Sequence, residues 1–366
     1  MAALARGLSP VGLSGQVSGA EPLELDGVPV ARLRRERVAP GLRAAGLGGM
    51  KRERPLVREA RGLYRLARLG KMTAGLYRTG RILGRFDVVH ANDVDTLPAA
   101  WLLARASGAR LVYDAHELYA DQEPDPPRLQ RLVARALEGV LARRADAVLT
   151  VSEAIAEELQ HRLALPLTPT AVLNAPERDE TEPPPREDGP LRAIYQGAMG
   201  PGRPLEDLLV AAEHAREVRF TLRVAGADAD ALRRAAAHLP NVEVVEPVPP
   251  TELVDALRGY DVGLIINRPV TRNDELVFPN KLFEYLMAGL AVAVPRLPGM
   301  TPLVEGEDVG VTYEPGRPAK LGAALAELGH DPERLARLRR NARAVAVALY
   351  NAEAQRERLA EVWAVS

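Results

Sequence analysis

The sequence predicts an α/β protein built from two Rossmann-like domains that face a cleft. Three observations carry that prediction. Short apolar runs alternate with helical-period segments along both halves of the chain, the pattern of parallel sheets covered by helices. A proline-rich, charged stretch without apolar period, APERDETEPPPREDGP at 175–190, separates the halves. The length of 366 residues, 47% of them hydrophobic, is enough for two cores of ordinary size. The expected domains are 1–183 and 184–345, with 346–366 as a closing helix.

The elements follow in order. Phe86–Ala91 reads as a buried strand, Thr96–Ala106 as a helix and Ala109–Asp114 as a second strand, a βαβ unit whose default pairing is parallel. Arg128–Arg143 is helical and Ala145–Val151 is a third strand. Ser152 is placed to cap a helix over Glu153–Arg162, and Ala171–Leu173 is a short strand. Beyond the linker, strands are expected at Leu191–Gln196, Arg219–Ala225, Val242–Val245, Asp261–Ile266 and Ala291–Pro295. Helices are expected at Leu205–Ala215, Ala229–His238, Thr251–Leu257, the segment beginning at Asn280, Pro318–Leu328, Pro332–Leu349 and Ala352–Trp363. The opening of the chain breaks this regularity. Residues 1–20 hold glycines and small residues but no apolar strand, so the first βα unit is expected to be missing or diverged, and the N-terminal domain incomplete.

Composition excludes several classes. A formal net charge of −1 argues against a general nucleic-acid binder. With no Cys there is no disulfide and no thiolate metal site. No run of eighteen apolar residues and no signal-peptide pattern occurs, which fits a cytoplasmic protein.

The stretch FPNKLFEYLMAGLAVAVP, 278–295, is the most informative. It sets Lys281 and Glu284 in the first turn of a helix that leads to a buried strand. Only four of the 48 basic residues are Lys, so a compact ammonium here stands out against an arginine default. The helix dipole disfavours a cation at this end unless an anion binds there too. Glu284 lies three residues on, hence on the same side. Residues alone leave two readings open: a surface ion pair, or an ammonium for phosphate beside a carboxylate for sugar hydroxyls.

Pro279-Asn280-Lys281-Leu282-Phe283-Glu284-Tyr285, followed by Gly289 and a strand, resembles the donor-site signature of retaining glycosyltransferases of the family-four type, which have the GT-B fold. The resemblance runs over roughly 86–366. It implies an N-terminal acceptor-side domain, a C-terminal nucleotide-sugar domain and a last helix, Ala352–Trp363, that crosses back onto the first domain. Gly27–Leu33 is similar to a later strand of the family's first domain. The resemblance also implies that Glu284 binds the donor ribose and Lys281 its diphosphate, with Asn280 beside them. A second glutamate that many members place eight residues earlier is here Leu276, with Glu275 next to it.

Two strand ends in the first half are rich in polar groups: His90-Ala91-Asn92-Asp93 and Asp114-Ala115-His116-Glu117. The second is similar to the family's histidine segment, which faces the transferred sugar; this assigns His116, with Asp93 as its neighbour. The alternative is a histidine satisfied by Asp114 or a carbonyl, and His90 reads as structural. In the second half the strand at 191–196 runs into GAMGPGRP, where Gly197 and Gly200 would let amides approach a phosphate and Arg203 would add a fixed charge. A family Lys soon after that Arg is absent, since Pro204 and Leu205 follow. Charge on a leaving diphosphate would be met by Arg203, Lys281 and helix N-termini, without a metal or cofactor. Asp93-Val94-Asp95 has a metal-site spelling but reads as a strand end and helix cap.

The loop DQEPDPP, 121–127, is either an acceptor lid or a solvated connection. Residues 31–86 hold sixteen Arg or Lys against three acids. They form either a solvated basic face or a surface for the inner face of an anionic membrane, with a stripe of Leu56, Leu63, Leu66, Leu69 and Leu76. The expected reaction moves a sugar from a nucleoside diphosphate to a glycan or lipid-linked acceptor, in the synthesis of cell-envelope polysaccharide. The rivals are a GT-B nucleotide-sugar epimerase and a non-catalytic sugar-nucleotide-binding protein.

Overall fold

A computed structural model of the chain describes the backbone of residues 12–14, 24–25 and 28–32, together with residues 55–197, 204–224 and 227–364. By its contacts the chain divides into two compact units. Unit 1 comprises Met1–Thr150, Ala156–Ala171 and Arg358–Ser366; unit 2 comprises Val151–Ile155 and Val172–Glu357.

Near the N-terminus β1 (Gly12–Ser14) pairs in parallel with β3 (Val28–Arg32), which pairs antiparallel with β2 (Glu24–Leu25). The strand at 12–14 corrects the expectation that residues 1–20 hold none; three residues are too few to leave an alternation. The main sheet of unit 1 is parallel, with strands in the order β4 (Val88–Asn92), β5 (Arg110–Ala115), β6 (Ala147–Thr150) and β7 (Thr170–Ala171). Its helices are α1 (Pro55–Leu83), α2 (Asp93–Ser107), α3 (Arg128–Ala142) and, from Ala156 on, α4 (Glu153–Leu163). The expected cap of α4 is present: the Ile155 amide donates to Ser152 Oγ at 3.1 Å.

Helix α1 approaches its neighbours through glycines. A Cβ on Gly62 would lie 2.6 Å from Pro127, and one on Gly80 would lie 2.6 Å from Leu103. The basic face of α1 is partly used. Arg58 pairs with Asp125, and Arg65 reaches Glu123 at 2.7 Å, so the 121–127 loop is strapped to this helix. The leucine stripe does not form one core face: Leu76 is buried, whereas Leu56 is 86% and Leu63 56% exposed.

Unit 2 carries a six-stranded parallel sheet in the order β10-β9-β8-β11-β12-β13. The strands are β8 (Arg192–Gln196), β9 (Arg219–Arg223), β10 (Val242–Val245), β11 (Val262–Leu264), β12 (Ala291–Pro295) and β13 (Gly310–Tyr313). The chain builds outward from β8 to β10, then returns to β11 on the other side of β8, making β8/β11 the topological switch point. Side chains alternate across the sheet. Ala193, Tyr195, Ala291 and Ala293 enter one core, and Ile194, Val292 and Val294 enter the other.

The helices of unit 2 are α5 (Glu206–Glu213), α6 (Ala227–Ala236), α7 (Arg272–Leu276), α8 (Asn280–Met287), α9 (Thr301–Gly306), α10 (Pro318–Gly329) and α11 (Pro332–Ala348). The closing helix α12 (Ala352–Trp363) begins in unit 2 and ends in unit 1. The helix expected over Thr251–Leu257 is instead two 3-10 turns, Pro250–Glu252 and Asp255–Leu257, the form that short helical connectors often take.

Asp261, fully buried at the start of β11, organises one end of this sheet. It accepts the Arg192 backbone N–H at 2.9 Å and pairs with Arg339 at 3.3 Å and Arg186 at 3.5 Å. The proline-rich segment is thereby tied to α11, an attachment completed by Arg343, whose guanidinium donates to the carbonyls of Met287 and Thr181. A cavity of about 870 Å³ between that segment and α11 is lined by these arginines, among others.

Candidate functional site

In doubly wound sheets, ligands bind beyond the carboxyl ends of the strands at the switch point. In unit 2 that place holds the end of β8 and the start of α8. Tyr195 is fully buried, and Lys281 Nζ sits 4.2 Å from its ring centroid. Gly197 follows at φ +138°, a conformation that favours glycine, and a Cβ there would meet Lys281 Nζ at 2.8 Å. The ammonium and the glycine turn, expected from separate motifs, are therefore adjacent.

Glu284 lies behind them. Gln196 Nε2 donates to its Oε2 at 2.6 Å. Burial raises the Glu284 pKa above the ordinary carboxylate value, with the Gln196 bond and the Lys281 charge pulling it back. Tyr285 locks the arrangement. Its hydroxyl accepts the Gln196 amide N–H at 3.1 Å and donates to the Leu264 carbonyl at 3.3 Å, joining α8 to β8 and β11. Gly263 makes room for that ring.

Asn280 is exposed in the first turn of α8. Gly200 and Arg203 lie outside the described residues. Leu276 is 2% exposed, so the position that could have carried a second glutamate is filled by core, while Glu275 beside it pairs with Arg272. One group escaped sequence reasoning. Arg223, paired in register with Gln196, is 7% exposed, and its Nε and Nη1 have no partner. Nothing in a strand pattern marks one arginine as buried, and such orphan donors call for an explanation.

In unit 1, the register that sets Asn92 opposite Asp114 brings the two polar strand ends together. The His116 backbone N–H donates to Asp93 Oδ1 at 3.1 Å. Its ring lies between two carboxylates, with Nε2 3.3 Å from Asp114 and Nδ1 3.7 Å from Asp93. Asp93 is held at φ +58°, a strained value of the kind found at functional sites. Burial raises its pKa, against the pull of His116. Burial would also raise that of Asp114, but bonds from His116 and His90 outweigh it and hold the group at about 2. The bond to Asp114 raises the His116 pKa against desolvation.

His90, expected to be structural, joins this cluster through Asp114 at 3.2 Å and Trp363 at 2.9 Å. The signal missed was the pairing register, which a single strand does not reveal. Asp95 instead accepts the Tyr119 hydroxyl at 2.6 Å. Among the described residues no three side chains are placed to hold a metal ion.

Comparison with known proteins gives three kinds of finding. Residues 4–175 match the family model of a glycosyl transferase 4-like domain, and residues 203–361 match that of a glycosyl transferase-like domain. The first match begins far upstream of residue 86, where the sequence resemblance becomes readable. No curated protein sequence matches the chain.

Solved structures share the fold. Sucrose-phosphate synthase from Thermosynechococcus elongatus aligns at TM-score 0.70 and 17% identity, over 99% of this chain and 90% of that one. A glycosyltransferase from Rickettsia africae aligns at 0.67 and 11%, over 98% and 90%. Anabaena HepE in complex with UDP and glucose aligns at 0.63 and 15%, over 92% and 86%. The two parallel-sheet units thus form a GT-B fold, and the chain belongs to the glycosyltransferases of the family-four type.

Proposed function

We propose that the chain is a retaining hexosyltransferase. It moves a sugar from a nucleoside diphosphate to a glycan or lipid-linked acceptor in cell-envelope polysaccharide synthesis, without a metal or cofactor. One observation carries the reading: the Lys281 ammonium stands against the Gly197 turn at the switch point, with Glu284 held by Gln196 beside it. That arrangement offers a cation and a helix N-terminus to a diphosphate and a carboxylate to ribose hydroxyls. HepE, of the same fold, was solved with UDP-glucose, which supports a donor of that class here.

Cleavage of the sugar–phosphate bond leaves negative charge on the departing diphosphate. Lys281, Arg203 and the α8 N-terminus stabilise it, most strongly where water is excluded. In this reading His116 and Asp93 serve the transferred sugar. The leaving phosphate helps to deprotonate the acceptor on the same face, which gives retention. No described helix is long and apolar enough to cross a membrane. The basic α1, with Leu56 and Ile82 more than four-fifths exposed, supplies a peripheral contact with the inner face of an anionic cell membrane.

The experiment is calorimetry with UDP, GDP and their sugars on the wild type and on Glu284→Ala. Loss of nucleotide binding in the variant is expected; equal affinities would sink the assignment. Sedimentation with phosphatidylglycerol vesicles, but not phosphatidylcholine vesicles, is expected for the membrane contact. A second reading, a sugar-nucleotide-binding protein without catalysis, is favoured by the buried Leu276. Donor binding with neither transfer nor hydrolysis would select it.

A further inference from the structure

Four side chains at the ends of β4, β5 and α12 form one connected array. Trp363 Nε1–H donates to His90 Nδ1 at 2.9 Å. A ring nitrogen that accepts carries no proton, so the His90 proton sits on Nε2, 3.2 Å from Asp114 Oδ2. The same oxygen lies 3.3 Å from Nε2 of His116. Two imidazoles therefore converge on one carboxylate oxygen, and a tryptophan fixes the orientation of the rear one. The other edge of His116 faces Asp93 as an ion pair without a hydrogen bond: Nδ1 is 3.7 Å from Asp93 Oδ2, and the side chain is 44% exposed.

We infer that Asp114 is a positioning residue, braced by His90 and Trp363, that holds His116 through Nε2–H and makes it a positively charged donor through Nδ1–H rather than a base. The inference rests on the reading of His116 as a site residue. It sharpens that reading by naming what the ring offers: a hydrogen bond and a charge for a hydroxyl or phosphoryl oxygen of the donor. A general base needs a bare nitrogen, and an imidazolium has none.

The groups facing the ring agree. Asp114 comes from β5, Asp93 from the start of α2, and Glu117 is next in the chain; all three favour the charged ring. His90, the imidazole approaching from β4, gives its Nε2–H to Asp114. The raised pKa of His116 and the lowered pKa of Asp114 are two sides of one interaction.

The test uses the full chain labelled with nitrogen-15 at its six histidines. The His116 signals are identified by their loss in His116→Gln. At pH 7 the wild type is expected to show both His116 ring nitrogens protonated. Asp114→Asn is expected to lower the midpoint of that titration and expose one bare nitrogen, and Asp93→Asn to lower it less. Circular dichroism checks that each variant is folded, and Asp114→Glu, which restores the carboxylate, is expected to restore the imidazolium signature. A bare His116 nitrogen in the wild type at pH 7 overturns the inference by itself, whatever the variants do. So does a folded Asp114→Asn protein with an unchanged His116 titration. None of these spectra involves a nucleotide, so their failure is distinct from loss of donor binding in the Glu284→Ala experiment.

Discussion

Lys281 separates the candidate roles most sharply. In the proposed reading its ammonium meets only the phosphate side of the donor, so Lys281→Ala is expected to weaken UDP by about tenfold or more. That corresponds to one charge-assisted hydrogen bond of roughly 1.5–3 kcal/mol. Uridine affinity should stay nearly constant, and calorimetry with the two ligands checks this. His116→Ala is expected to cut transfer while leaving UDP affinity intact; equal losses in both would point to folding. Glu138 gives a prediction about stability. It is 4% exposed and accepts the Tyr113 hydroxyl at 2.8 Å, and burial raises its pKa to about 7. A carboxyl whose folded pKa is raised costs stability as pH climbs from its unfolded value, near 4.5, through 7. Glu138→Gln keeps the acceptor and removes that cost, at most roughly 3 kcal/mol. The variant is expected to melt above the wild type at pH 8 and level with it at pH 4.5. Lys281 and Glu284 were legible because helical spacing places them locally. The part played by His90 was not, because its partners Asp114 and Trp363 come from another strand and from the last helix; nor was the burial of Arg223, which a strand pattern does not mark.

At the scale of elements, α8 depends on Tyr285, and Tyr285 depends on Gly263. A Cβ at position 263 would lie 2.2 Å from the buried ring. Gly263→Ala is expected to cost about 1–3 kcal/mol in urea unfolding. It should also weaken UDP binding, because the displaced ring carries the helix that bears Lys281 and Glu284. Unchanged UDP affinity in this variant would mean that α8 is held by other contacts. Helix α7 was readable in principle. Thr271 and Asp274 form a capping box, with the Asp274 N–H donating to Thr271 Oγ1 at 3.3 Å and the Thr271 N–H to Asp274 Oδ2 at 2.9 Å. The run of five residues was too short to show a period. The same shortness made 251–257 look like one helix when it is two turns.

At the scale of the molecule, Asp261 is expected to be the costliest single loss in unit 2. Asp261→Ala removes the buried partner of Arg339 and Arg186 and the acceptor of the Arg192 amide. Breaking such a buried arrangement costs about 3–5 kcal/mol. Both tryptophans, Trp101 and Trp363, belong to unit 1. The variant is therefore expected to lower the melting transition seen by circular dichroism and to leave the transition in tryptophan emission in place. A joint shift of both signals would mean that the units unfold together.

Local order determined the rest of what could be read directly. Alternation of apolar runs and helical periods dictated two α/β halves, and the spacing within 278–295 dictated one cation and one carboxylate on a helix start. Both depend on residues a few positions apart, which backbone geometry places without help. Tertiary structure alone decided that β8 lies beside β11, that Gly197 therefore meets Lys281, and that one oxygen of Asp114 is shared by two histidines. Apart from the chain neighbours Asp114 and His116, those contacts join residues 24 to 84 positions apart, and only sheet order and register bring such residues together.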